Sequence, residues 1–137
     1  MKKLFVILSA LVLLGSCSPE QTGNEKTTLL TSVAWKTGPT SSYSVDKFNS
    51  DGTYTMTFKE PMMEVRGTWE WISADEISMS DTEIRINGMV DKMHKKPTDK
   101  TIIRITSLSE GKLIGIQHHI LDAEDSGFAK QISYTAE

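Results

Sequence analysis

Three features of this 137-residue chain carry side chains capable of metal or covalent chemistry: a single cysteine, Cys17; the neighbouring pair His118-His119; and the acidic run Asp122-Ala123-Glu124-Asp125-Ser126-Gly127. Two imidazoles chelate one ion only when they face the same way, and adjacent residues of an extended strand face opposite ways. The surrounding "LIGIQHHI" reads as a strand, so the pair does not form a chelate, and one histidine should face the interior while the other faces solvent. His94 lies in the polar stretch "DKMHKKPTDK" with no acid or histidine at ligand spacing. Set on a twelve-residue calcium loop with Asp122 first, the acidic run places Ser133 at the last position, where a bidentate Glu is required, and its flanks read as strands. No metal or cofactor is expected. Covalent catalysis fares no better: Gly-x-Ser-x-Gly is absent, and nothing ties the serines, histidines and acids into a triad. Glu64 and Glu70 share a strand face with Arg66, an outward charged stripe with no apolar setting to raise a carboxyl pKa. An enzyme is not expected.

Cys17 belongs to a different chemistry. Met1-Lys2-Lys3 precedes "LFVILSALVLLG", a short positive segment before an apolar run too short for the ~20 residues that cross a bilayer. The run ends in the small residues Gly15 and Ser16, so residues 1–16 read as a signal peptide. "LLGSC" resembles the lipobox of bacterial lipoproteins, with Leu14 three residues before Cys17. The resemblance implies a diacylglycerol thioether on Cys17, cleavage before it and acylation of the new amine. Each buried CH₂ contributes ~0.8 kcal/mol, and more than one chain is needed for stable anchoring. Ser18, in place of Asp, resembles the pattern that sorts such proteins to the outer membrane of Gram-negative bacteria. The expected location is therefore the cell envelope, lipid-anchored. With Cys17 lipidated, no thiol or disulfide is left to brace the fold.

Removing residues 1–16 leaves 121 residues, enough for one domain with its own core. It also removes Lys2 and Lys3, so the formal charge moves from −3 to −5. That balance argues against nucleic acid and against an electrostatic grip on anionic headgroups; the lipid would hold the membrane. "SPEQTGNEKTT" is polar, and residues 17–28 read as the lipidated cysteine and a flexible tether. The domain occupies 29–137.

What must position any site in that domain is a series of short strands, with turn signals roughly every ten residues. In "TYTMTFK", Tyr54, Met56 and Phe58 alternate with threonines. "NSDG" before it is a tight turn and "SYSVDKF" the partner strand. In "MEVRGTWEW", Met63, Val65, Gly67, Trp69 and Trp71 share a face, and Gly67 suits a sharp bend or a crossing strand. "EISMS" and "EIRINGMV" switch apolar parity, which places a turn or bulge near Asp81. "TIIRITSL" aligns Ile103 with Ile105. "LIGIQHHI" aligns Ile114, Ile116, His118 and Ile120, and "FAKQISYT" aligns Phe128, Ile132 and Tyr134. A short helical turn over Leu29 to Val33 is the most helix the pattern allows. About eight antiparallel strands joined by short turns predict an all-β, up-and-down barrel, since closure removes the exposed edges.

Trp35, "KFNSDGTYTMTF", "GTWEW" and "ITSLSEGKLIGI" resemble the small lipocalin-like domains of Bacteroidetes-type lipoproteins over residues 29–135. That resemblance implies a lipocalin-like barrel that binds without catalysis. Two departures stand out: Val33 occupies the place of the signature Gly two residues before the first-strand Trp, and Lys130 is the only basic candidate near the last strand.

The candidate barrel interior is Tyr54, Met56, Phe58, Trp69, Trp71, Ile116 and His118. An eight-stranded barrel is just wide enough to be filled by side chains or to hold one small ligand. One expectation is binding of a small hydrophobic molecule or lipid. The other is a side-chain-filled barrel serving as an inhibitor or partner-binding module of an envelope protein.

Overall fold

A computed structural model describes residues 23–38, 43–59, 62–91, 99–121 and 124–137. Cys17, the signal segment, the first half of the tether, His94 and Asp122 lie outside the described residues. The helix α1 (Gly23–Ser32) precedes nine strands: β1 (Ala34–Thr37), β2 (Ser44–Phe48), β3 (Thr53–Phe58), β4 (Met63–Trp71), β5 (Glu76–Ile86), β6 (Met89–Asp91), β7 (Lys100–Leu108), β8 (Lys112–Leu121) and β9 (Glu124–Ala136). Eight of them form a closed antiparallel up-and-down barrel in the order β1-β2-β3-β4-β5-β7-β8-β9, with β9 returning to β1. This is the expected architecture. The ninth, β6, lies outside the ring: β7 pairs with Glu76–Met79 of β5, and β6 takes the far end, Ile84–Ile86.

Local chemistry sets the hairpins. Between β2 and β3, Asn49 N donates to Thr53 O and the Asp51 carboxylate accepts from both Thr53 N and Thr53 Oγ1. The β5–β6 turn is Asn87-Gly88, with φ of 51° and 82°. Positive φ at both central residues matches the twist of a two-residue hairpin. The parity switch in β5 is a bulge: Gly67 faces Asp81 but Arg66 faces Glu83, leaving Thr82 as the extra residue. Gly67 is required by close approach. A Cβ there would stand 2.2 Å from Ser80 O and 2.5 Å from the Tyr54 ring, which lies over it.

One end of the barrel is plugged. The helix packs across it with Leu30 fully buried, and Trp35 Nε1 donates to Leu30 O at 2.8 Å. Trp71 Nε1 donates to Thr27 Oγ1, and Trp69 Nε1 to Asn49 O. Indole N–H groups need such partners once buried, so Trp35 and Trp71 tie their strands to the cap, while Trp69 ties β4 to the β2–β3 turn. Trp69 meets Phe48 and Trp71 edge-on, with ring centroids 5.6 and 6.2 Å away. The helix starts at Gly23, so residues 23–28, read above as tether, are helical, and α1 is much longer than one turn.

Three side chains depart from the expected interior. Ile116 is 42% exposed, opposite Arg104 on the outer face, and His118 is opposite Ile102 on that face. Phe128 is 62% exposed although in phase with the buried Ile132 and Tyr134. For β8 the reason is register. Leu108 pairs with Leu113 beside the β7–β8 turn, and both are core, so Leu113, Gly115, Gln117 and His119 point inward. A register shift between Ile105 and Ser107 lets Ile103, Ile105 and Leu108 all face the core despite their differing parity. For Phe128, β1 is the limit. It pairs with β9 only at Trp35–Ala136 and Lys36–Thr135, so the early half of β9 has no strand of β1 beside it to enclose its inner face.

Candidate ligand-binding site at the barrel mouth

Opposite the plug, the interior opens into a cavity of about 240 Å³. Strands β3 and β4 contribute Met56, Phe58, Met63 and Val65; β5 and β7 contribute Met79, Asp81, Thr101 and Ile103; β8 and β9 contribute Gln117, His119 and Tyr134. Each is the inward member of an alternating pair, and so the strands aim them at a common space. Methionine supplies an adaptable, polarizable wall.

The polar side chains are wired to one another. His119 Nδ1 is 3.1 Å from Thr101 Oγ1, and His119 Nε2 is 3.3 Å from Gln117 Nε2. In the tautomer with its proton on Nδ1, the ring accepts from the Gln117 amide at Nε2 and donates to Thr101. Thr101 can then turn its own hydroxyl proton to a third acceptor. Across the barrel Tyr54 donates its phenol to Asp81.

Beneath this layer lies Asp46, inward on β2 and only 1% exposed. Neither carboxyl oxygen has a hydrogen bond of ordinary geometry. Burial pushes its pKa up to about 6, and the nearby Tyr134 and Ser44 hydroxyls only partly oppose that. Tyr134 is itself held protonated, first by burial and then by the charge of Asp46. The cavity floor therefore carries a neutral phenol over an acid whose charge is disfavoured.

The expected interior residues divide between the two ends. Met56 and Phe58 line the cavity, Tyr54 reaches it through Asp81, and Trp69 and Trp71 pack the plugged end. Ile116 and His118 stay outside, with His118 Nδ1 3.9 Å from Asp125 Oδ2. His119 takes the place expected of His118. Missed by the sequence reading were Asp46, Thr101, Gln117 and His119; the Leu108–Leu113 pairing across the β7–β8 turn was the signal that could have placed the last two. Among the described residues no group of three or more His, Asp or Glu gathers to hold a metal. No protein-family model matches the chain, and no curated protein or solved structure matches it.

Proposed function

We propose that this chain is a lipid-anchored envelope protein of the lipocalin-like kind that binds a small hydrophobic molecule in its barrel mouth without chemical conversion. The observation that carries the reading is the half-empty interior: side chains and helix fill one end, while methionines and aliphatics line a 240 Å³ cavity at the other. Drug-sized ligands occupy roughly 300 Å³ or more, so the cavity suits a compact molecule or part of a chain. The polar set Asp81, Thr101, Gln117, His119 and Tyr134 would orient its polar end. Cys17 precedes the start of α1 by six residues, a reach of about 20 Å at full extension. Lys26 Nζ bonds Ala74 O in the β4–β5 turn of the plugged end. An acyl anchor on Cys17 would thus hold that end to an outer-membrane bilayer and turn the mouth away from it.

Native mass spectrometry of detergent-free protein tests the binding. The expected spectrum shows a discrete small-molecule adduct that disappears when Val65→Phe fills the cavity, with the far-ultraviolet circular dichroism unchanged. A wild type without any adduct and without uptake of added apolar ligands would rule the reading out.

The rival, a partner-binding module, is favoured by one observation. Met62 and Met89 are 68% and 73% exposed, beside exposed Ile86 and Val90, around the β3–β4 and β5–β6 turns. If it holds, Met89→Ser should abolish a defined envelope complex while leaving the adduct in place.

A further inference from the structure

Behind two side chains that line the interior cavity, Met56 and Tyr134, lies the carboxyl group of Asp46. Asp46 pairs with Met56 across β2–β3 and with Trp35 across β1–β2, and its inward neighbours on β2 are the buried Ser44 and Phe48. It is as enclosed as the core itself, and neither oxygen has a hydrogen bond of ordinary geometry. The hydroxyls that act on it are those of Tyr134 and Ser44. A carboxylate so placed is costly unless a cation or several donors answer it.

Among the described residues no cation does. The cavity lining holds no Lys or Arg. Around Asp46, Lys36 and Lys47 take the positions between the buried Trp35, Asp46 and Phe48, and Lys36 stacks on Tyr43 at 3.9 Å. Lys59 continues the outward threonine face of β3. Lys130 is in phase with Tyr134 on β9, but it is exposed and four residues away, about 13 Å along a strand. The other titratable groups at the cavity are Asp81, which accepts from the Tyr54 phenol, and His119, which meets Thr101 and Gln117. With its proton turned toward Asp46, Tyr134 presents oxygen lone pairs to the cavity. The rings of Phe58 and Tyr134 line the same space, and ring faces attract cations.

We infer that the ligand of the barrel mouth is a compact apolar amine, whose ammonium group docks on the Tyr134 hydroxyl and is balanced by the Asp46 carboxylate behind it. The inference rests on the binding reading above and specifies its ligand class. Contact with Asp46 itself is not required: the phenol relays the interaction, and the charge acts across a water-poor interior, where Coulomb attraction is weakly screened. Because Asp46 holds a proton up to about pH 6, an ammonium ion that favours the carboxylate expels that proton on binding. The amine keeps its own proton, and the one released goes to solvent.

Calorimetric titration of the purified protein with hexylammonium, hexan-1-ol and hexanoate tests it. At pH 7 hexylammonium should bind at least about tenfold tighter than hexanol, and hexanoate more weakly than either. Between pH 7 and pH 5 hexylammonium should weaken by about tenfold as the ionised fraction of Asp46 falls, while hexanol should not. At pH 6, titrations in two buffers of different ionisation enthalpy should show release of about half a proton per bound amine. Asp46→Asn should bring hexylammonium down to the level of hexanol and abolish the proton release. Tyr134→Phe, which removes the docking oxygen, should give a smaller loss of the same kind and serves if Asp46→Asn does not fold. Equal binding of amine and alcohol, or tighter binding of hexanoate, would overturn the amine while sparing the apolar cavity. A pH dependence that survives in Asp46→Asn would assign it to His119 and overturn the role of Asp46. Binding of none of the three would remove both the amine and the cavity reading.

Discussion

Asp46 is the residue whose environment makes the sharpest demand on the fold. Its carboxyl group is enclosed, its oxygens lack aligned donors, and its pKa rises from an ordinary 3.8 to about 6. A raised carboxyl pKa means that the folded protein keeps a proton that the unfolded chain releases. Stability from this group is therefore fully present below pH ~4, falls as pH rises, and is lost once pH passes about 6. At ~1.4 kcal/mol per unit, the loss amounts to about 3 kcal/mol at neutral pH. Asp46→Asn mimics the protonated acid, so it should be more stable than wild type by about 1–3 kcal/mol at pH 7 and equal to it near pH 4. Urea unfolding of both proteins across that range checks this. Asp51 and Glu83, whose carboxyls are held low by Thr53 and by Arg85 respectively, act with the opposite sign. They cancel in the difference between the two proteins, and a difference independent of pH would show that Asp46 is charged throughout. A group retained at such cost beside the cavity floor fits the trade of stability for function common at binding sites.

At the scale of elements, α1 shows how packing overrides local preference. Its sequence, "GNEKTTLLTS", is rich in Thr and Ser, which are poor helix formers. Thr27, Thr28 and Thr31 bond back to carbonyls four residues earlier, a habit that favours bending more than helix. An isolated ten-residue helix of this composition is unstable in water. What secures it is the barrel end: Leu30 fills the core, and two tryptophans donate to the helix. Leu30→Ala should cost about 2–5 kcal/mol, and by letting water reach Trp35 and Trp71 it should red-shift their emission, which a substitution at the mouth should not do. Denaturation monitored by tryptophan emission checks this, and a cost below about 1 kcal/mol would mean that the helix is dispensable. The same contrast explains what could be read in advance. Strands β3 and β4 alternate strictly because one face is core and the other water, so Tyr54, Met56, Phe58 and Trp69 were legible, as was the bulge near Asp81. Strand β8 carries Ile114 and Ile116 on its outer face and Gln117 and His119 on its inner face. Polarity there runs against position, and only the register with β7 resolves it. Asp46 was illegible for a related reason: a carboxylate on a strand reads as solvent-facing until the neighbouring Ser44 and Phe48 prove buried.

Over the whole molecule, closure is uneven, and that unevenness predicts where the barrel opens. The β4–β5 seam pairs along the full length of β4, from Met63 with Ile86 to Trp71 with Ile77. The β1–β9 seam holds by Trp35–Ala136 and Lys36–Thr135, helped by Glu137 N donating to Ala34 O at 2.9 Å. Beyond it, the early half of β9 carries Glu124, Asp125 and Lys130, and Gly127 at a φ of 69°. Charges and irregular backbone of that kind keep a free edge from pairing with another chain. Local opening follows the least paired elements first. Amide hydrogen exchange should therefore proceed fastest in β1 and along 124–131, and slowest in β3, β4 and the first half of β5. Opening along 124–131 would widen the mouth without breaking the Trp35–Ala136 pair, which lies at the plugged end with Trp35 bonded to Leu30 O. A disulfide between Lys36→Cys and Thr135→Cys would pin the seam at a pair already in register. If the seam is the route, oxidised protein should take up ligand more slowly at an unchanged affinity, and reduction should restore the rate. Equal uptake rates in the two redox states, or exchange as slow in β1 as in β4, would place the opening elsewhere on the barrel.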